Sequence, residues 1–94
     1  MNTPHIAYVY LLRCRDGSLY CGWTIDLERR VAAHAAGRAS RYTRSRLPVA
    51  LAAAWETDGR AAARSLEVRV KRLARPEKER LIGGAPLEGA LRLS

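Results

Sequence analysis

Tyr10, Tyr20, Arg30 and His34 have types and spacing that suit work on a phosphodiester. The two tyrosines fall on what read as neighbouring strands, and the arginine and histidine follow directly, one helical turn apart. In-line cleavage of a phosphodiester needs a nucleophilic water, charge stabilisation on the phosphate and help for the leaving oxygen. Guanidinium matches phosphate oxygens with a planar fork of donors, and phenol and imidazole can hold or move a proton. Taken singly, these residues also have a plainer reading as core tyrosines and a satisfied surface histidine.

Side chains can act together only if the elements carrying them agree. The run from Ile6 to Arg13 is β-branched, aromatic and aliphatic, and it predicts a strand apolar on both faces, hence central or covered on both sides. Cys14-Arg15-Asp16-Gly17-Ser18 is a turn, and Leu19 to Trp23 is the returning strand. A two-residue Asp-Gly loop would pair Arg13 with Tyr20 and put Tyr10 and Tyr20 on opposite faces. A three-residue loop with Gly17 at positive φ pairs Cys14 with Ser18, Leu12 with Tyr20 and Tyr10 with Gly22. Both tyrosines then share one face, and Gly22 leaves space beside Tyr10 for a backbone or a ligand. A shared site therefore requires the three-residue loop.

A helix is expected from Ile25 to about Ala36, with Thr24 as N-cap and with Asp26 and Glu28 near its positive end. Its buried stripe reads Leu27, Val31 and Ala35, with Arg30 and His34 along the edge, and Gly37 ends it. From Arg38 to Arg46 the chain holds four arginines with one aromatic and three hydroxyls. Arg38, Arg41, Tyr42, Thr43, Arg44 and Arg46 there make a candidate phosphate-contacting loop, with a solvated charged loop as the alternative. Leu47-Pro48 leads into a third strand, Val49 to Trp55. Thr57-Asp58-Gly59 opens a second helix, about Arg60 to Ala74, with Ala62, Leu66, Val70 and Leu73 as its stripe. Glu67 borders that stripe one turn before Lys71, and spacing alone reads first as a surface ion pair. Pro76 starts a short helix through Ile82, stopped by Gly83-Gly84, and the tail from Ala85 to Ser94 either docks or frays. The sum is an α+β protein with a small antiparallel sheet of about three strands, flanked by helices. It is expected to be one domain over 1–94, with its core over about 6–82.

Seventeen Lys+Arg against nine Asp+Glu give a net charge of +8, nearly all of it arginine, in a chain of 94 residues. That balance points to nucleic acid, unless it is only the basic surface of an arginine-rich composition. No apolar run is long enough to span a membrane, and the N-terminus has no signal-peptide pattern. Cys14 and Cys21 form no disulfide framework and have no metal-ligand spacing with the histidines, so a reduced, cytoplasmic protein is expected.

Tyr8-Val9-Tyr10, Tyr20-Cys21-Gly22, Arg30 ten residues after Tyr20, His34, then Glu67 and Lys71 together resemble the GIY-YIG nuclease superfamily, most closely its small stand-alone bacterial members. The resemblance covers about residues 6 to 82, and it lies in the order and spacing of motifs that are individually weak. Tyr8 stands for the first glycine, Val9 for the middle residue of the first triplet and Cys21 for isoleucine or valine in the second. Ala35 stands where many relatives carry asparagine. The resemblance implies a divalent-metal-dependent DNA endonuclease using Mg2+ or Mn2+. Structured or damaged DNA, as in excision repair, is the implied substrate, and RNA is left open. It implies Tyr10 and Tyr20 as base and positioning residues, Arg30 as phosphate clamp, His34 as orienting or relay group, and Glu67 as the metal ligand. A different class stays in view: a nucleic-acid-binding module that keeps the nuclease fold without significant cleavage.

Overall fold

The segment read as a central strand is β1, Ala7–Arg13, and the sheet is built outward from it. The computed structural model describes residues 6–93, so the parts of the expected domain at 1–5 and 94 lie outside the described residues. On one side of β1 lies β2, Leu19–Thr24, and on the other β3, Ala50–Thr57. A fourth strand, β4, Leu91–Arg92, pairs with the far edge of β3, so the antiparallel order is β2-β1-β3-β4. The tail expected to dock or fray thus adds a strand to a sheet expected to have about three. Arg92 anchors it, donating to the carbonyls of Leu81 and Ile82 at 2.7 and 3.0 Å. β3 runs two residues beyond the expected Trp55, and Pro48 precedes its start, where a missing N–H costs no ladder bond.

The two sheet faces carry two cores. One gathers Val9, Leu11, Cys21, Ala53 and Trp55 beneath α3, Arg60–Lys71, and α4, Arg75–Ile82. The other gathers Tyr10, Leu12 and Ala54, with Tyr20, Leu27 and Val31 packed against them, beneath α1, Leu27–Ala35. Burial on both faces is what the unbroken apolar run of β1 predicts. Arg13 ties the end of β1 to α4 through two bonds to Glu79, at 3.0 and 2.8 Å.

Register follows the three-residue loop. The Cys14 N–H donates to the Ser18 carbonyl at 2.9 Å, and Gly17 has φ 84°. Leu12 then faces Tyr20 and Tyr10 faces Gly22. Asp16 steadies the turn by accepting from the Ser18 N–H and hydroxyl, and Arg75 donates to the Gly17 carbonyl. The space beside Gly22 is not open to a ligand, because the Tyr10 ring fills it. A Cβ at residue 22 would lie 2.5 Å from the Tyr10 hydroxyl oxygen and 2.7 Å from Cζ.

Several helix details depart from expectation. α1 starts at Leu27 rather than Ile25 because Asp26, not Thr24, is the cap: its carboxylate accepts from the Arg29 N–H at 3.1 Å. Thr24 instead accepts from the Asp26 N–H, which turns the chain into the helix. The stripe of α1 is Leu27, Val31 and His34; Ala35 is exposed. In α3 the buried alanine is Ala63, with Leu66 and Val70, while Ala62 is exposed and the helix stops at Lys71. Alanine is too small to mark a face, so neighbouring alanines fit the helical spacing equally well. The stretch read as an arginine-rich loop contains a short helix, α2, Arg41–Arg44.

Gly22→Ala tests the register and the close approach together. The added methyl must displace the Tyr10 ring, so the variant should lose about 1–3 kcal/mol, as overpacked cores do. Urea unfolding measures this, and a variant as stable as wild type would contradict the packing.

Candidate active site

His34 is buried, 1% exposed, and both its ring nitrogens are engaged. Nε2 lies 2.8 Å from the Tyr10 hydroxyl and Nδ1 2.8 Å from the Thr43 hydroxyl. The Thr43 hydroxyl also lies 2.9 Å from Ser40 Oγ and 3.4 Å from the Ser40 carbonyl. A neutral imidazole has one donor and one acceptor nitrogen, so one of the two hydroxyls donates to the ring and the other accepts from it. Ser40 also caps α2 by accepting from the Thr43 N–H at 3.1 Å. Three segments (β1, α1 and the start of α2) thus meet at one imidazole.

Charge states follow from this enclosure. Burial lowers the pKa of His34, and the nearby Arg30 guanidinium lowers it further, so the ring is neutral near pH 7. Burial pushes Tyr10 up to about 12, Tyr20 adds to the rise, and Arg30 works against it. A phenol held this firmly protonated does not fit a base role, which needs the opposite shift. Tyr10 is completely buried and fits the holding of His34 instead.

Tyr20 is the tyrosine of the pair that reaches the surface. Its ring centroid lies 5.1 Å from that of His34 and 5.7 Å from that of Tyr42. Arg46 lies over Tyr42 at 3.8 Å, and its Nε donates to Asp16 at 3.1 Å. Arg46 therefore braces the β1–β2 turn, and it is less free for phosphate than its neighbours. Arg38, Arg41 and Arg44 are exposed around a hollow of about 510 Å³. Thr43, grouped with them on sequence, is completely buried and committed to His34 and Ser40, so it is not placed to touch phosphate.

Arg30 is exposed and shares a hollow of about 270 Å³ with Trp23, Thr24, Ile25 and Arg60. Arg60 went unnoticed in the sequence because it stands alone after Asp58-Gly59; its nearness to Arg30 arises only from the docking of α3. Ser40 was likewise missed, although Ser three residues before Thr43 is a helix-capping spacing. Glu67 is on α3, which packs on the opposite sheet face from His34. Its ion-pair partner is Lys71 at 3.6 Å, and no described contact joins it to the Tyr10–His34 cluster. Burial first and Glu67 second push the Cys21 thiol up to about 12. Among the described residues no three His, Cys, Asp or Glu cluster as metal ligands. A single, partly exposed carboxylate nevertheless fits Mg2+, which keeps most of its waters and takes one or two carboxylates plus substrate phosphate.

An antiparallel sheet with helices on both faces, carrying paired tyrosines, a helix arginine and a histidine in this order, defines a GIY-YIG-type domain. The chain matches the family model of the GIY-YIG catalytic domain over residues 6–80 and belongs to that nuclease family. It is 44% identical over 89 residues to the UPF0213 protein BH0048 of Halalkalibacterium halodurans, covering 93% of this chain and 95% of that protein. To a UPF0213 protein of Streptococcus pneumoniae it is 47% identical over 78 residues, covering 83% and 79%. The solution NMR structure of the UPF0213 protein BH0048 from Bacillus halodurans superposes with a TM-score of 0.54 at 43% identity, covering 89% of this chain and 86% of that one. Among the described residues no helix is long and apolar enough to cross a membrane.

The lowered pKa of His34 makes a signed prediction. On acidification the unfolded chain takes up its proton first, near the ordinary histidine value of about 6.5, and the folded chain only later. The neutral ring's contribution is therefore complete above that value and is lost as pH falls through the lower folded pKa. Urea unfolding at stepped pH should show a one-proton fall in this window that His34→Gln removes. An unchanged pH profile in the variant would contradict a buried neutral imidazole.

Proposed function

We propose that this protein is a divalent-metal-dependent DNA endonuclease that hydrolyses phosphodiester bonds, with Tyr20, Arg30 and His34 nearest the chemistry and Glu67, on α3, as the metal ligand. The observation that carries this reading is the neutral His34, held at both nitrogens directly behind the surface-reaching Tyr20 and beside Arg30. Arg30 clamps the scissile phosphate, and Arg60 in the same hollow adds positive charge as the phosphate gains negative charge. Tyr20 orients the attacking water, its own position set by packing against His34 and Tyr42. Tyr10 keeps His34 in one tautomer, and Thr43 does so from the other side. Glu67 would hold the Mg2+ or Mn2+ ion, which when bound supplies charge stabilisation to the phosphate. Arg38, Arg41 and Arg44 hold flanking phosphates, and Lys71 steers the backbone toward Glu67. Damaged or structured DNA suits the excision-repair resemblance, and RNA stays within reach of the same phosphate contacts.

The second reading, a binding module without significant cleavage, draws on two observations: Tyr10 stays protonated, and Glu67 faces Lys71. Glu67→Gln separates the two readings. The amide keeps helix propensity and size, so the variant should fold and bind DNA at least as well as wild type. With Mg2+ or Mn2+ it should cleave at least ~100-fold more slowly, a loss of ~2.7 kcal/mol in transition-state stabilisation. Equal cleavage by the variant, or none by wild type, would leave the binding module as the function.

Binding itself is tested by salt. Alanine at Arg38, Arg41 or Arg44 should weaken DNA binding on all sequences alike and lower the salt slope by about one unit each. Arg46→Ala should lower it less, since that guanidinium is paired with Asp16. Unchanged slopes in the first three variants would mean a merely solvated segment.

A further inference from the structure

A hollow of about 780 Å³ lies away from the Tyr10–His34 cluster, between the start of α1 and the β3–β4 half of the same sheet face. Its floor is apolar, made in part by Leu27, Val31 and Leu51, and Leu51 is 44% exposed. A volume of this size is in the range that holds a bound molecule or an inserted segment. Its charge is the reverse of the chain's. Asp26, Glu28 and Glu56 line it and no Lys or Arg does, in a protein with 17 Lys+Arg against nine Asp+Glu. Asp26 is occupied in capping α1, but neither Glu28 nor Glu56 has an ion-pair partner among the described residues. Three carboxylates around an apolar floor repel a nucleic-acid backbone, so the phosphate-binding arginines and this groove cannot serve one ligand.

We infer that the groove docks a protein partner through a short segment of apolar side chains flanked by lysine or arginine. Charge complementarity selects that occupant. The apolar side chains cover Leu27, Val31 and Leu51, and the flanking cations meet Glu28 and Glu56 at the rim, where they guide encounter and fix orientation. α1 carries the groove residues Leu27, Glu28 and Val31 and, on the same helix, Arg30 and His34, so a docked partner sits next to the nuclease site without covering the arginines of α2. The inference does not depend on cleavage.

Three short fluorescein-labelled peptides of equal length test it by anisotropy: one of Lys and Leu, one of Glu and Leu, and one of Lys and Ser. The Lys/Leu peptide should bind wild type, and both others should bind at least about tenfold more weakly, a difference of ~1.4 kcal/mol. The double variant Glu28→Gln/Glu56→Gln and the single variant Leu51→Ser should each lose about tenfold for the Lys/Leu peptide, while Arg64→Gln on the exposed face of α3 should not. Amide chemical shifts of wild type on peptide addition should move at Leu27, Val31, Leu51 and Glu56, which covers the case of a variant that fails to fold. Equal binding of the Glu/Leu peptide, equal binding by the double variant, or shifts confined to other residues would overturn the proposal. A concentration-dependent dimer of wild type that Leu51→Ser breaks would overturn it too, in favour of a second copy of this chain as the occupant.

Discussion

A neutral imidazole buried between two hydroxyls is the interaction on which the candidate site depends. Tyr10 comes from the central strand, His34 from the last turn of α1 and Thr43 from α2, and without the two hydroxyls His34 would be a buried polar ring with no described partner. A hydrogen bond of this kind adds only about 0.5–1.5 kcal/mol net, whereas a buried partner left unpaired costs about 1–3 kcal/mol. The chain is therefore under strong constraint to close all its bonds at once, and closing them fixes where α1 and α2 rest against the sheet. Positioning is the functional product. Tyr20 and Arg30 need no buried partners of their own, because the surfaces they pack against are already held.

The same constraint explains the glycine of the second triplet. Tyr10 must lie flat across the strand that carries Tyr20 in order to reach His34, and only a residue without Cβ lets it do so. The three-residue turn at Gly17 brings Tyr10 and Gly22 into that pairing. The Asp16–Arg46 ion pair and the Arg75 bond to Gly17 hold the turn from α2's end and from α4. Eight of the arginines fall into two groups. Arg13, Arg46, Arg75 and Arg92 hold the fold together through carboxylates and carbonyls, while Arg30, Arg38, Arg41 and Arg44 remain exposed.

Much of this was legible in the sequence because it depends on periodicity and turn chemistry. Period two and an odd loop were enough to put Tyr10 and Tyr20 on one face, and apolar continuity marked β1 as central. What was not legible depends on tertiary contact. Thr43 looked like a phosphate contact because hydroxyls beside arginines usually are; only the packing of α2 on α1 turns it inward to His34. Tyr10 looked like a possible base, but complete burial reverses the shift a base would need. His34 sat one position from the expected Ala35 stripe, and a polar residue is not counted on a buried face unless its partners are known. β4 is two residues long, too short for any alternation to appear, and Arg60 meets Arg30 only across two elements.

The tautomer of His34 tests the account most directly, and long-range ¹H–¹⁵N NMR of the imidazole measures it. The hydrogen-bond chain predicts a neutral ring at pH 7 held in a single tautomer, its protonated nitrogen facing one hydroxyl and its bare nitrogen the other. In Thr43→Val, where the hydroxyl is gone, that preference should be lost. An imidazolium at pH 7, or a ring freely exchanging both tautomers in wild type, would contradict it.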